Sequence, residues 1–340
     1  MKRNLRVSDV GEWGLLDLLK RHYSLKDSRV VVGFGDDVAV VDPYPKAKDY
    51  LISTVDTLVE GTHFTVGDFD PVLLGKKTIA VNLSDIAAIG GIPEFYLISL
   101  AVSGNTRVET IRKIYKGLCQ EARKYGVSLI NGDTVRSERL VLTLTLFGRK
   151  PKKEPLALRS NARPGQKVYI TGMPGESGAG LQIILEKRHE RQGRSNSRLV
   201  TRHLAPTPRI KEARALVQNL DDIAMIDVSD GVMHELSLVS RFSSVGFDIE
   251  MPAIPISSAL KSYCLRKKED PLKFALFGGE DYELLFTTAT SPARVARIFS
   301  ENKIRTPVSC IGTVTHGNKI ILRDSEGKPL ALKDITFQHF

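Results

Sequence analysis

Carboxylates set beside glycine, serine or threonine recur along the chain in one kind of local context: GDD at 35–37, TVDT at 54–57, NLSD at 82–85, NGDT at 131–134, IDVSDG at 226–231 and GGED at 278–281. Asp85, Asp133 and Asp227 end apolar runs, and Asp85 is followed by Ile86, Ala87, Ala88 and Ile89, the composition of a buried helix. Surface acids would instead be scattered over polar faces. Uncompensated negative charge in such places is costly, and like charges raise one another's pKa. Divalent cations resolve that conflict. Hard cations need oxygen ligands, and Mg²⁺ typically shares one or two carboxylates with substrate phosphates while keeping water. No His/Cys spacing marks a zinc site. Glycines beside the acids, at Gly132 and along Gly172 to Gly180, let backbone N–H groups approach phosphate oxygens. The constellation therefore predicts a site for phosphate and metal, built at strand ends and tight turns.

The usual nucleotide motifs are missing. GKKT at 75–78 lacks the upstream glycine of a phosphate-binding loop, and no HRD with DFG marks a protein kinase. GMPGESGAG follows a strand but does not give GxGxxG with a ribose-binding acid at the usual distance. Nucleotide chemistry in this chain must use a carboxylate-rich cleft with several metals.

The elements that must position these acids alternate in type. Helices are expected at 8–22, from Pro71 through Ile89, at 107–125, 181–189, 208–218 and 232–240, with strands at 30–32, 38–41, 50–55, 95–102 and 127–130. Leu140 to Phe147, LVLTLTLF, alternates as a half-buried strand does. Further strands are expected at 167–171, 223–228, 282–287 and 308–314. The Pro- and Lys-rich interval 148–167 is the best domain boundary, giving domains 1–150 and 151–340. The expected fold class is α/β, or mixed α+β, each domain a sheet packed against helices.

At 340 residues and 42% hydrophobic content the chain can bury two ordinary cores. Its net charge of +10 suits an anionic ligand. The densest basic stretch, Lys187 to Arg202, lacks interleaved aromatics and reads as a solvated helix end and loop, so no nucleic-acid partner is expected. Cys119, Cys264 and Cys310 form no CxxC pair and read as reduced thiols of a cytoplasmic protein. The N-terminal stretch is amphipathic and carries Glu12 and Asp17, unlike a signal core, and no segment approaches transmembrane length, so no membrane partner is expected.

With these motifs in order the chain resembles the thiamine-monophosphate kinases, of the aminoimidazole ribonucleotide synthetase-like superfamily. The likeness covers nearly the full length and is carried by GDDVAVV, STVDTLVEGTHF, KKTIAVNLSDIAAIGGIP, LINGDT, ALRSNARPGQKVYITGMPGESGAGL, PTPRI, MIDVSDGV, GGEDYELLFT and the terminal QHF. The resemblance implies direct transfer of the γ-phosphoryl group of ATP to thiamine monophosphate, giving thiamine diphosphate, with several Mg²⁺ ions and a homodimer in which strands such as Leu140 to Phe147 join. It implies an N-terminal domain that binds ATP and Mg²⁺ and dimerises, and a C-terminal domain that completes the site. By the same resemblance Asp37, Thr54, Asp56, Asp85, Asp133, Asp227 and Asp230 would hold metal. Tyr115, Gly132, Asp133, Arg159 and Ser229 would contact ATP, and His63, Glu280 and Phe337 would line the thiamine phosphate pocket. No general base is assigned, because a phosphate acceptor is already ionised. Three departures stand out: Val55 where Thr or Ser is usual, Asn131 in place of a common Gly, and Glu176 in place of a common Asp. The rival readings are another enzyme of the superfamily, disfavoured by the missing N-terminal reactive Cys and Cys-bearing tail, and a nucleotide-binding regulator without turnover.

Overall fold

A computed structural model describes residues 6–19, 27–33, 35–44, 46–67, 69–189 and 197–330. In the first half the chain runs α1 (Val7–Leu19), β1 (Val30–Val32), β2 (Ala39–Val41), β3 (Asp49–Val59), α2 (Pro71–Ala88), β4 (Ile92–Val102), α3 (Val108–Lys124), β5 (Ser128–Arg136) and β6 (Val141–Pro151). The second half continues with β7 (Lys167–Thr171), α4 (Glu176–His189), α5 (Arg198–Leu204), α6 (Ile210–Val217), β8 (Ala224–Asp227), α7 (Val232–Ser243) and β9 (Gly246–Glu250). It closes with α8 (Ser258–Lys267), α9 (Pro271–Phe277), β10 (Leu284–Thr288), α10 (Pro292–Glu301), β11 (Val308–Thr315), β12 (Ile320–Arg323) and β13 (Pro329–Leu330).

The first sheet has the order β1-β2-β3-β6-β4-β5, antiparallel except where β5 joins β4. The alternation of β6 decides its two faces. Leu142, Leu144 and Leu146 are fully buried in the first core, while Thr143 and Thr145 point the other way. The covered face lies under α2 and α3, which cross at glycines: a Cβ on Gly75 would stand 1.9 Å from the Ile114 carbonyl oxygen, and one on Gly117 1.9 Å from that of Val72. No side chain fits there, so the helices touch backbone to backbone. Asp70 caps α2 by accepting from the Val72 N–H, and Pro71 supplies the first turn.

The second sheet has the order β13-β12-β9-β11-β7-β10-β8, antiparallel except for β12 on β9. Its strands bury a core of Val168, Ile170, Ile226, Phe247 and Ile249. The helix α2 is the common wall of the two halves. It contributes Leu74, Ile79, Leu83 and Ile86 to the first core and Ala87 to a cluster with Leu216, Met225 and Phe286 from the second half.

Several expectations are corrected. NGDT is not a loop after a short strand: it lies inside β5, paired residue by residue with β4. The segment GMPGESGAG is a turn for only half its length, because α4 begins at Glu176. Apart from these corrections, the strand β6 is hydrogen-bonded on both sides, to β3 and β4, and β5 is exposed along its whole length. Of the three cysteines, all free, Cys264 is buried and Cys119 and Cys310 are half-buried. The expected helix end at 20–22 and part of the basic run from Lys187 to Arg202 lie outside the described residues. Among the described residues no helix is long and apolar enough to cross a membrane.

Candidate active site

Asp85 sits in the last turns of α2, next to the buried Ser84. It is not a helix cap. Thr54, on the covered face of β3, donates its hydroxyl to Asp85 Oδ2 at 2.5 Å, and Ser84 donates to Asp227 Oδ2 at 2.6 Å from across the seam between the halves. Asp37 comes in from the turn after β1 and pairs with the buried Arg159 guanidinium. Carboxylate oxygens of Asp37, Asp85 and Asp227 all lie within 4.8 Å of one another. Three acids distant in sequence thus meet at one point.

Their electrostatics follow from that meeting. Burial, then the neighbouring charges of Asp56, Asp227 and Asp37, push the Asp85 carboxyl well above its ordinary value. Burial and Asp37 do the same to Asp227. Asp36 is pushed up to about 7 by burial and by Asp37. One oxygen of Asp37, Oδ2, is buried with no hydrogen-bond partner. Clustered, all-oxygen, partly unsatisfied donors are what a hard divalent cation takes up.

Asp85 of this cluster lines a cavity of about 1050 Å³. Asp56, Asp85, Ser229 and Asp230 line it together with the apolar Met251, Leu272, Phe274 and Phe277. His63 and Glu280 also face it. His63 is fixed by accepting at Nδ1 from the Val59 N–H, 3.1 Å away. Ser229 and Asp230 stand on the turn into α7, where the buried Glu235 accepts from the Asp230 N–H at 3.0 Å.

Both halves of the chain match the family of AIR synthase related proteins, the N-terminal domain over residues 35–149 and the C-terminal domain over 163–325. The thiamine-monophosphate kinase of Buchnera aphidicola subsp. Schizaphis graminum is 36% identical over 98% of this chain and 99% of its own. That of Escherichia coli K12 is 36% identical over 96% of this chain and 98% of its own. The chain belongs to the thiamine-monophosphate kinase family. A solved structure, AaThiL complexed with AMPPCP and TMP, superposes with a TM-score of 0.83 at 31% identity over the full length of both chains. The thiamine monophosphate kinase of Aquifex aeolicus gives 0.78 at 30% identity, over 96% of this chain and 100% of its own. The HypE–HypF complex, at 20% identity and a TM-score of 0.70, shares the fold.

Within this member of the kinase family, the structure brings together Asp37, Thr54, Asp56, Asp85, Asp227, Asp230, Ser229, Arg159, His63 and Glu280 around the cavity and the acid cluster. It does not bring Asp133 there. Asp133 pairs across β5 and β4 with Ser99, which faces Thr143 and then Thr57, a row on the outer face of the sheet. Asp56 belongs to the opposite, covered face, with β6 and β4 between its strand and β5. Gly132 lies beside Asp133 and is required by close packing: a Cβ there would meet the Ile98 carbonyl oxygen at 2.5 Å. Tyr115, on α3, packs against the first core. Phe337 lies outside the described residues. Val55 is 59% exposed on the outer face, so its side chain could not serve the cluster whatever its type.

The glycine-rich loop also differs from expectation. The N–H groups of Gly175 and Ser177, at the start of α4, donate to the buried carboxylate of Asp281 at 2.6 and 3.1 Å. The chain's own acid fills the place a phosphate was expected to take. Sequence reasoning missed Lys77, His203, Glu235 and the capping role of Asp281. Only the last had a signal, as the second acid of GGED.

Proposed function

We propose that this chain transfers the γ-phosphoryl group of ATP to thiamine monophosphate, giving thiamine diphosphate and ADP with the help of several Mg²⁺ ions. The observation that carries the reading is the meeting of Asp37, Asp85 and Asp227 oxygens within 4.8 Å, beside a cavity that Asp85 lines together with apolar side chains. Such a cavity has room for a charged polyphosphate and for the organic part of a second substrate. Asp37, Asp85 and Asp227 would hold the metal, with Asp56 and Asp230 beside them. Held by these residues, Mg²⁺ would supply the positive charge that offsets the repulsion between donor and acceptor phosphates.

The residues of the chain supply the rest by position. Thr54 and Ser84 orient Asp85 and Asp227 through hydroxyl donation, and Arg159 fixes Asp37. Met251, Leu272, Phe274 and Phe277 exclude water from one wall, which strengthens every charge interaction inside. His63 and Glu280 present polar groups to the organic substrate. No side chain needs to take a proton from the acceptor.

The proposal includes a homodimer acting in the cytoplasm. Support comes from the outer face of the first sheet, where Leu51, Val55, Phe95 and Val135 are exposed among the described residues. Asp133 and Gly132 lie on β5 at that surface, so any part they take with ATP requires the second copy. Incubation with ATP, Mg²⁺ and thiamine monophosphate is expected to form thiamine diphosphate and ADP in equal amounts. ATP binding without product, with metal in excess, overturns the kinase reading in favour of a nucleotide-binding regulator.

A further inference from the structure

Lys77 is a lysine with no exposure at all, held in the interior of α2. A buried ammonium must find a counter-charge. Its Nζ lies 2.7 Å from Glu280 Oε1 and 5.4 Å from the centre of the Phe69 ring. The other oxygen of the same carboxylate, Oε2, lies 3.2 Å from Nδ1 of His203, a buried imidazole on α5 that packs at 5.9 Å against Phe69. Burial and Lys77 depress the His203 imidazole to about 3, so the ring is neutral. Its Nε2 is buried without a partner. The proton therefore sits on Nδ1, where the carboxylate and the Ser177 hydroxyl, 3.1 Å away, are in reach.

The backbone of Glu280 is held as firmly as its side chain. Glu280 and Tyr282 both adopt left-handed conformations, φ 62° and 50°, which cost energy outside glycine. They are kept there because the Glu280 N–H donates to the Ser229 carbonyl at 2.6 Å, the Tyr282 N–H donates to that of Val228 at 2.8 Å, and Asp281 between them caps α4. Three separate elements, α2, α5 and the 278–282 turn, converge on one carboxylate that faces the cavity. Burial alone would raise the Glu280 carboxyl, yet the Lys77 ammonium beside it brings it below its ordinary value.

We propose that Lys77 and His203 are positioning residues that lock Glu280 as a fixed, ionised carboxylate on the cavity wall, where it receives a cationic or N–H-bearing part of the organic substrate. The proposal rests on the kinase reading above and extends it to Lys77, which does not line the cavity, and to His203, which reaches its wall. A carboxylate clamped on both oxygens recognises a donor without spending binding energy on being ordered.

The test is steady-state kinetics of the full chain on Lys77→Met, Glu280→Gln and the double variant, with KM measured separately for thiamine monophosphate and ATP. Lys77→Met is expected to raise KM for thiamine monophosphate about tenfold, the scale of one hydrogen bond to a charged group, with KM for ATP unchanged. In the Glu280→Gln background the same change should add less than about twofold, since a positioning residue has nothing left to position. His203→Gln, which keeps a donor but loses the rigid ring, should show the same selectivity in smaller degree and serves if Lys77→Met does not fold. An equal rise in both KM values, an unchanged KM with only a lowered Tm, or the full effect persisting in Glu280→Gln overturns the proposal. Absence of turnover in the unsubstituted protein overturns the kinase reading instead, which separates the two failures.

Discussion

Asp227 ends β8 and Glu283 immediately precedes β10, one register step apart on neighbouring strands: Leu284 pairs with Asp227, and the Val228 N–H donates to the Glu283 carbonyl. Both side chains are buried, yet they face opposite sides of the sheet and meet opposite treatment. Glu283 is clamped by Arg202 Nη2 at 2.7 Å, by Arg209 Nε at 2.6 Å and by the Thr171 hydroxyl at 2.7 Å. Asp227 receives a single hydroxyl, from Ser84, and two more carboxylates. The chain carries arginines enough to neutralise a buried acid where structure requires it. Where Asp85 and Asp227 meet Asp37, the one arginine at hand, Arg159, is paired with Asp37, and compensation for the other two is left to an outside cation.

That contrast can be broken first at the clamp. Glu283→Gln leaves two guanidinium groups without their shared partner in the interior, and the expected loss is about 3–5 kcal/mol of unfolding free energy. Urea denaturation showing less than about 1 kcal/mol would remove the clamp from the stabilising side of the comparison. Asp85→Asn should do the reverse. Turnover should fall about 100- to 1000-fold, as on removing one group that stabilises transition-state charge, while the metal-free protein keeps its fold and its Tm. A rate near that of the unsubstituted protein would take Asp85 out of the metal site.

A third measurement asks whether the open acids wait for a cation. Mg²⁺ at a hundred times its dissociation constant should stabilise the unsubstituted protein by about 2.7 kcal/mol, and Asp85→Asn by much less. Equal stabilisation of both would place the ion elsewhere. A fourth measurement is the pH dependence. Asp36, Asp85 and Asp227 have folded-state values raised above the ordinary 3.8, Asp36 to about 7. A raised carboxyl favours the folded state while protonated, so its contribution is complete below about pH 4 and is lost as pH rises through the folded-state value. The stabilising effect of Mg²⁺ should therefore grow between pH 5 and 8, by at most about 1.4 kcal/mol per pH unit for each proton released. A flat difference across that range would mean the acids are already ionised without metal.

Much of the architecture was legible because periodicity and capping act locally. Pro71 after Asp70 opened α2 where expected, and the Leu alternation of β6 gave its buried face directly. The acids were legible as a set because each ends or interrupts an apolar run. The role of NGDT was not, since a Gly-Asp pair reads as a turn unless the neighbouring strand is known to approach at Gly132. Lys77 escaped notice for a similar reason: beside Lys76 it looks like a solvated face, and only packing of α2 between the two halves buries it.

Sequence alone determined the composition of the site, the kind of ion its oxygen donors would suit and the succession of strands and helices, because residue type and local periodicity carry that information. Tertiary structure decided which acids meet. Asp37, Asp85 and Asp227 are joined by a helix shared between two sheets, Asp133 is turned to the other face by strand register, and Asp281 takes a helix N-terminus that phosphate was expected to fill. Strand register and helix packing fix which side chains share a face across hundreds of residues, and no local pattern records that choice.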